Sequence, residues 1–186
     1  MIYTEHKPHV LLTPYIECYW QADADRPPFR EVESLIPDGT IELMFNFGDD
    51  YHEVTGNGKE RVKGSHIIGI RRRALRISQS SNQHIFSVRF RPGGTYPFFR
   101  VPMHLFANGF WDMHHLFGNV YTELEERLYD ADTSTRIRLM DDFFLIKIRN
   151  SDTANTLAAA CAGWMADHTD SRCVPVVQYP LQSIRA

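Results

Sequence analysis

Residues 36–47 read IPDGTIELMFNF. Pro37-Asp38-Gly39 is a turn signal, because proline presets one backbone angle and glycine supplies the conformation other residues avoid. Thr40 to Phe47 then alternates. Ile41, Leu43, Phe45 and Phe47 fall on one face of a strand, and Thr40, Glu42, Met44 and Asn46 on the other. A second strand lies far along the chain. Ile85 to Phe90 alternates, with Phe86, Val88 and Phe90 on one side and Ser87, Arg89 and Arg91 on the other, and Arg91-Pro92-Gly93-Gly94 stops it.

Further strands are expected at Glu31 to Leu35, Tyr51 to Thr55, Ser65 to Ile70 and Leu75 to Ser78. Gly48-Asp49-Asp50 and Gly56-Asn57-Gly58 supply the turns. Many short strands at this spacing point to a β-barrel or sandwich. Pro8 to Trp20 reads as a loop followed by a strand or short helix, closed by a Pro-Pro loop at Asp25 to Phe29. Past Pro92 the period changes. Pro102 to Trp111 is apolar and is expected to lie over the end of the β-domain. Gly118 to Tyr129 carries Val120, Tyr121, Leu124 and Leu128 on one helical stripe. Thr133 to Ile148 carries Ile137, Met140, Phe143, Phe144 and Ile148 at helical spacing, with N-cap residues at Asp132 to Ser134. The two form a hairpin through Asp130-Ala131-Asp132. A third helix is expected at Asp152 to Asp167, with Leu157, Cys161, Trp164 and Met165 on one side. On this reading Trp164→Ala loosens its packing. The expected division is a β-domain at 1–100, a helical segment at 101–170 and an irregular tail at 171–186.

Composition sets limits. With 43% hydrophobic and 23% charged residues among 186, the chain has an ordinary globular make-up. A net charge of −3 argues against the whole chain being an electrostatic nucleic-acid binder. Cys18, Cys161 and Cys173 form no CxxC pair, which excludes a zinc knuckle and a thioredoxin-like motif. Reduced thiols and a cytoplasmic location are expected. No signal peptide and no membrane-length apolar run is visible, so no membrane partner is expected.

No catalytic constellation stands out. Ser34, Ser80 and Ser81 lie outside any GxSxG elbow. The nine histidines contain no HxH pair, and His114-His115 are adjacent and diverge, so no metal and no cofactor is expected. His66 and His84 read as hydrogen-bonded or surface residues. Gly93-Gly94 and Gly56-Asn57-Gly58 read as turns and not phosphate cradles. Asp38 reads as a turn residue and Asp112 as a helix cap. The basic run Arg71-Arg72-Arg73, with Lys59, Arg61, Lys63 and Arg76, admits a phosphate-contacting patch. The preferred reading is a solvated loop or strand edge. The polar strand faces admit either a solvent surface with a Glu-Arg cross-strand pair or a small-ligand pocket. Trp20, Glu42, Asn46 and Arg89 are the candidate ligand-binding residues.

The ordered set of features resembles the N-terminal domain of one branch of AraC-type transcription regulators. The matching pieces are Pro8 with Leu12, Tyr15-Ile16, Tyr19-Trp20, IPDGTIELMFNF, GSHIIG at 64–69, SVRFRPGG with Tyr96-Pro97-Phe98-Phe99, the Pro102 segment, Leu116-Phe117-Gly118 and the two helices, over roughly residues 8–148. The resemblance implies an α+β fold in which a cupin-like β-barrel or sandwich precedes a helical hairpin and one more helix. It implies a non-enzymatic domain that senses a small-molecule effector or mediates homodimerisation. It also implies DNA binding through a separate C-terminal module of two helix-turn-helix units. The tail after Asp170 does not read as such a module. The competing expectation is a stand-alone cupin-like small-molecule or metal-binding protein, an enzyme among them.

Overall fold

The structure, a computed structural model, describes residues 2–25, 32–78, 82–99, 101 and 103–150. The expected third helix, the tail, Trp164 and the serines at 80 and 81 lie outside the described residues. Among the described residues ten strands occur in chain order: β1 (Ile2–His6), β2 (Ile16–Asp25), β3 (Val32–Leu35), β4 (Ile41–Asn46), β5 (Tyr51–Thr55), β6 (Gly58–Val62), β7 (His66–Ile68), β8 (Leu75–Ser78), β9 (Asn82–Phe90) and β10 (Phe110–Asp112). Helices α1 (His114–Phe117), α2 (Val120–Tyr129) and α3 (Thr133–Asn150) follow, and short 3-10 turns cover Val10–Leu12 and Met103–Phe106.

The strands form two sheets, one of six in the order β1-β2-β9-β4-β7-β10 and one of four in the order β3-β8-β5-β6. Every pairing in them is antiparallel. Among the described residues no strand pairing joins the sheets, so the expected β-rich α+β fold is present as two facing sheets. All six residues of β4 are buried. The reason is a layered arrangement. Ile41, Leu43 and Phe45 join a core with Phe86, Val88 and Phe90 of β9 and with Leu124, Leu128, Met140 and Phe144 of the helices. Met44 on the other face joins Trp20, Ile68 and Ile85 against Tyr51, Val62, Leu75 and Ile77 of the second sheet. The six-stranded sheet is therefore the middle layer, with helices on one face and the four-stranded sheet on the other. A strand with two covered faces has no solvent face, which corrects the alternative that the Glu42 side of β4 meets water.

The helical layer follows the expected hairpin. Asp132 Oδ1 accepts from the Thr135 backbone N–H at 2.7 Å and caps the start of α3. Tyr121, Leu124 and Leu128 are buried as the stripe requires, while Val120, expected with them, is exposed. Phe144 is wholly buried and meets Phe90, Phe98 and Phe99 edge-on. The sequence pattern does not predict strands β1, β6 and β10. β2 also carries an irregularity between Ile16 and Cys18. An extra residue there reverses the side-chain alternation. Ile16 thus enters the helical core, whereas Cys18 and Trp20 face the second sheet.

Candidate functional site

The pairing register fixes which side chains line the space between the sheets. Glu42 on β4 lies opposite Arg89 on β9, and Arg89 lies opposite Cys18 on β2. One row along, Glu5, Trp20, Ser87, Met44 and His66 follow one another across five strands. Polar groups thus stand within an apolar core and need partners there, because an unpaired buried polar group is costly.

Glu42 is the centre of the first cluster and is 5% exposed. Its Oε1 accepts from Arg89 Nε at 2.8 Å. Its Oε2 accepts from Trp20 Nε1 at 3.2 Å and from the Ser87 hydroxyl at 3.4 Å. Arg89 also approaches Glu5 at 3.8 Å at the margin, where Tyr3 lies against the Trp20 ring and donates to Glu5. Burial on its own would lower the Arg89 pKa, but the adjoining Glu42 carboxylate outweighs it and holds the guanidinium well above its ordinary value. Burial pushes the Cys18 thiol beside it up to about 12.

The structure therefore brings together Trp20, Glu42 and Arg89 from three different strands, and adds Ser87. Asn46 is placed elsewhere. Its side chain donates to the Asp49 carbonyl and accepts from the Gly48 N–H, closing the turn after β4. The Glu-Arg cross-strand pair exists, but it is inside the molecule and not on an outer surface.

A second cluster, not among the candidate residues singled out from the sequence, surrounds His66, which is 3% exposed. Its Nδ1 lies 2.9 Å from the Gly64 carbonyl, which can only accept, so Nδ1 carries the proton. Nε2 is then an acceptor, and the Tyr51 hydroxyl donates to it. The same hydroxyl lies 3.8 Å from Met44 Sδ, and the Phe110 ring meets both Tyr51 and His66. Burial pushes the His66 pKa down from 6.5 to about 4, so the ring is neutral at ordinary pH. The one sequence signal is parity: His66 shares a strand face with Ile68, and Tyr51 with Glu53.

Beside this cluster a groove of about 360 Å³ opens between the β6 and β10 edges, lined by Glu53, Glu60, Arg61, His66, Phe110 and Asp112 among others. Another, of about 340 Å³, runs between the β4 turn and α2, with Asn46, Phe47, Glu125 and Tyr129 in its wall. Both fall in the lower part of the size range for small-molecule sites. Among the described residues no group of three His, Cys, Asp or Glu side chains could hold a metal ion. No helix among them is long and apolar enough to cross a membrane.

The basic run divides in two. Arg71 is buried, pairs with Asp38 at 2.7 Å and donates to the Ile36 carbonyl. It ties the turn before β4 to the end of β7 and is not solvated, contrary to the expectation for the run. Arg72, Arg73 and Arg76 are exposed. Asp38 keeps its turn role, accepting from the Thr40 N–H and hydroxyl. Asp112 accepts from the His114 N–H at the start of α1, as a cap would.

Residues 4–112 match the family described as Domain of unknown function (DUF6597). The chain belongs to this family. The match runs from within β1 to the end of β10, so it contains Glu42, Arg89, Tyr51 and His66 and leaves out α1 to α3. No curated protein gives a significant match to the chain.

Proposed function

We propose that this chain is the regulatory domain of an AraC-type transcription regulator, with a cupin-like β-domain that senses a small-molecule effector. The observation that carries the reading is the double use of β4 and β9. On one face they present Glu42, Ser87 and Arg89 to the space between the sheets. On the other face they present Leu43, Phe45, Phe86 and Val88 to the core shared with α2 and α3. An effector that exchanges hydrogen bonds with Glu42 or Arg89 changes the strands on which the helices rest. Packed cores respond to such changes by switching between discrete arrangements. The helices then carry the signal to a homodimer contact and to a C-terminal helix-turn-helix module, in the cytoplasm. An effector acts only if it prefers one arrangement over the other.

The test is the reading frame of the source gene past the codon for Ala186. Two helix-turn-helix units in continuing frame support the regulator reading, and an immediate stop codon overturns it. A second measurement addresses the site. In a Trp111→Phe, Trp164→Phe background, Trp20 is the remaining tryptophan. Its fluorescence should respond to one chemical class within a library of small carboxylates, amines and polyols, and Glu42→Gln should abolish the response. A response that survives Glu42→Gln unchanged moves the site away from this cluster.

A further inference from the structure

The four-stranded sheet sorts its charges by face. Tyr51, Val62, Leu75 and Ile77 point inward, into the core between the sheets. Glu53 and Glu60 share parity with them and lie opposite each other, and Glu33 lies opposite Ile77. All three acids of this sheet therefore have the inward parity, with Glu60 at the exposed margin. Lys59, Arg61 and Arg76 have the opposite parity, as do His52, Ser34 and Ser78. The outer face is consequently basic, spread over β6, β5 and β8, adjacent strands about 5 Å apart. Exposed Lys63 follows Val62 at the end of β6 and extends this face.

Several details say what this face suits. Arg61 is already matched by Asp50 at 2.5 Å, while Lys59 reaches the Ser78 hydroxyl at 3.1 Å, leaving its charge unmatched by that contact. Among the described residues of these strands the apolar side chains with outward parity are Val32 and Val54, and neither is aromatic. A protein partner generally needs an apolar centre and a bilayer surface needs an apolar wedge. A basic face with neither fits a phosphate backbone. Such contacts position a protein on a duplex without reading its sequence. The net charge of −3 does not oppose this, since a local field steers encounter with a polyanion.

We propose that the outer face of the four-stranded sheet binds the phosphate backbone of duplex DNA through Lys59, Lys63 and Arg76. This surface is separate from the Glu42 cluster, so either reading can fail alone.

The experiment is fluorescence anisotropy of a labelled 24-base-pair duplex of arbitrary sequence, titrated with the 186-residue chain. If about three phosphates are neutralised, affinity should fall about 40-fold between 50 and 200 mM salt. The triple variant Lys59→Glu, Lys63→Glu, Arg76→Glu should bind at least tenfold more weakly at 50 mM salt with a shallower salt slope, at an unchanged melting temperature. A control triple variant on the helices, Arg127→Glu, Arg138→Glu, Arg149→Glu, changes the net charge equally and should bind as wild type. Equal weakening by both triples, absence of salt-dependent binding, or tighter binding to phosphatidylserine vesicles than to the duplex would each overturn the proposal.

Discussion

His66 gives the sharpest quantitative expectation. Its ring is buried, Nδ1–H is committed to the Gly64 carbonyl, and Nε2 accepts from Tyr51. Protonating Nε2 removes that acceptor and places a charge in an apolar layer. The pKa is accordingly near 4 when folded against 6.5 when free. Between those values the unfolded chain binds the proton and the folded chain does not. Stability is therefore full above pH 6.5 and is lost as pH falls toward 4. At about 1.4 kcal/mol per tenfold difference, the loss is about 3 kcal/mol. For a domain of this length that corresponds to a fall of about 6–12 °C in melting temperature. Urea unfolding of wild type and His66→Gln at intervals from pH 7.5 to 4.5 measures it. A glutamine side chain is neutral throughout, so the variant should start less stable by about 1 kcal/mol, a lost hydrogen bond, and then overtake wild type as pH falls, because wild type alone loses about 3 kcal/mol. Asp50 and Asp112 have lowered pKa values, but each titrates below this window and is common to both proteins. If the two curves run parallel between pH 6.5 and 4.5, the histidine is not held neutral and the assigned tautomer is wrong.

Three further outcomes follow from packing. Glu42→Gln should cost about 2 kcal/mol through loss of a charge-assisted bond, whereas the double variant Glu42→Leu, Arg89→Met should recover most of it. A thermal double-mutant cycle reads the coupling, and zero coupling denies the pair. Gly69→Ala should destabilise by about 3 kcal/mol, because an added Cβ would sit 1.4 Å from the Phe106 carbonyl oxygen and force backbone apart. A melting temperature within 1 °C of wild type would refute that close approach. Phe144→Ala should cost about 4 kcal/mol, since the ring is wholly buried among Phe90, Phe98 and Phe99. A loss under 1 kcal/mol in urea unfolding would mean α3 does not seal the core.

What the sequence discloses depends on whether local pattern carries the information. Tyr51–Thr55 and Leu75–Ser78 are bounded by turn residues and alternate, and they are strands at those limits. Alternation also places Glu42 and Arg89 on one side of their strands, which is why the pair is legible. Alternation cannot say that a second sheet covers that side. β1 and β6 escape notice for another reason. IYTEH and GKERV are edge strands with few buried residues, so hydrophobic period has almost nothing to act on. Asn46 resembles its neighbour Glu42 by parity. Its position at the end of β4 turns it to the backbone of the following turn instead. The Tyr51–His66 contact depends on how the two sheets face, which no spacing along the chain encodes.

The sorting of charge by parity in the four-stranded sheet has a bearing on folding itself. Short strands of this kind can pair one residue out of step, and such a slip exchanges the two faces. Here a slipped β6 would drive Lys59 and Arg61 into the core and expel Val62, and a slipped β8 would bury Arg76 and expel Ile77. Each wrong alignment turns bases toward the core and expels an apolar residue, while the correct one buries none of these bases. The same residues that dress the surface thus act as a proofreading device, rejecting misaligned hairpins while the sheet assembles.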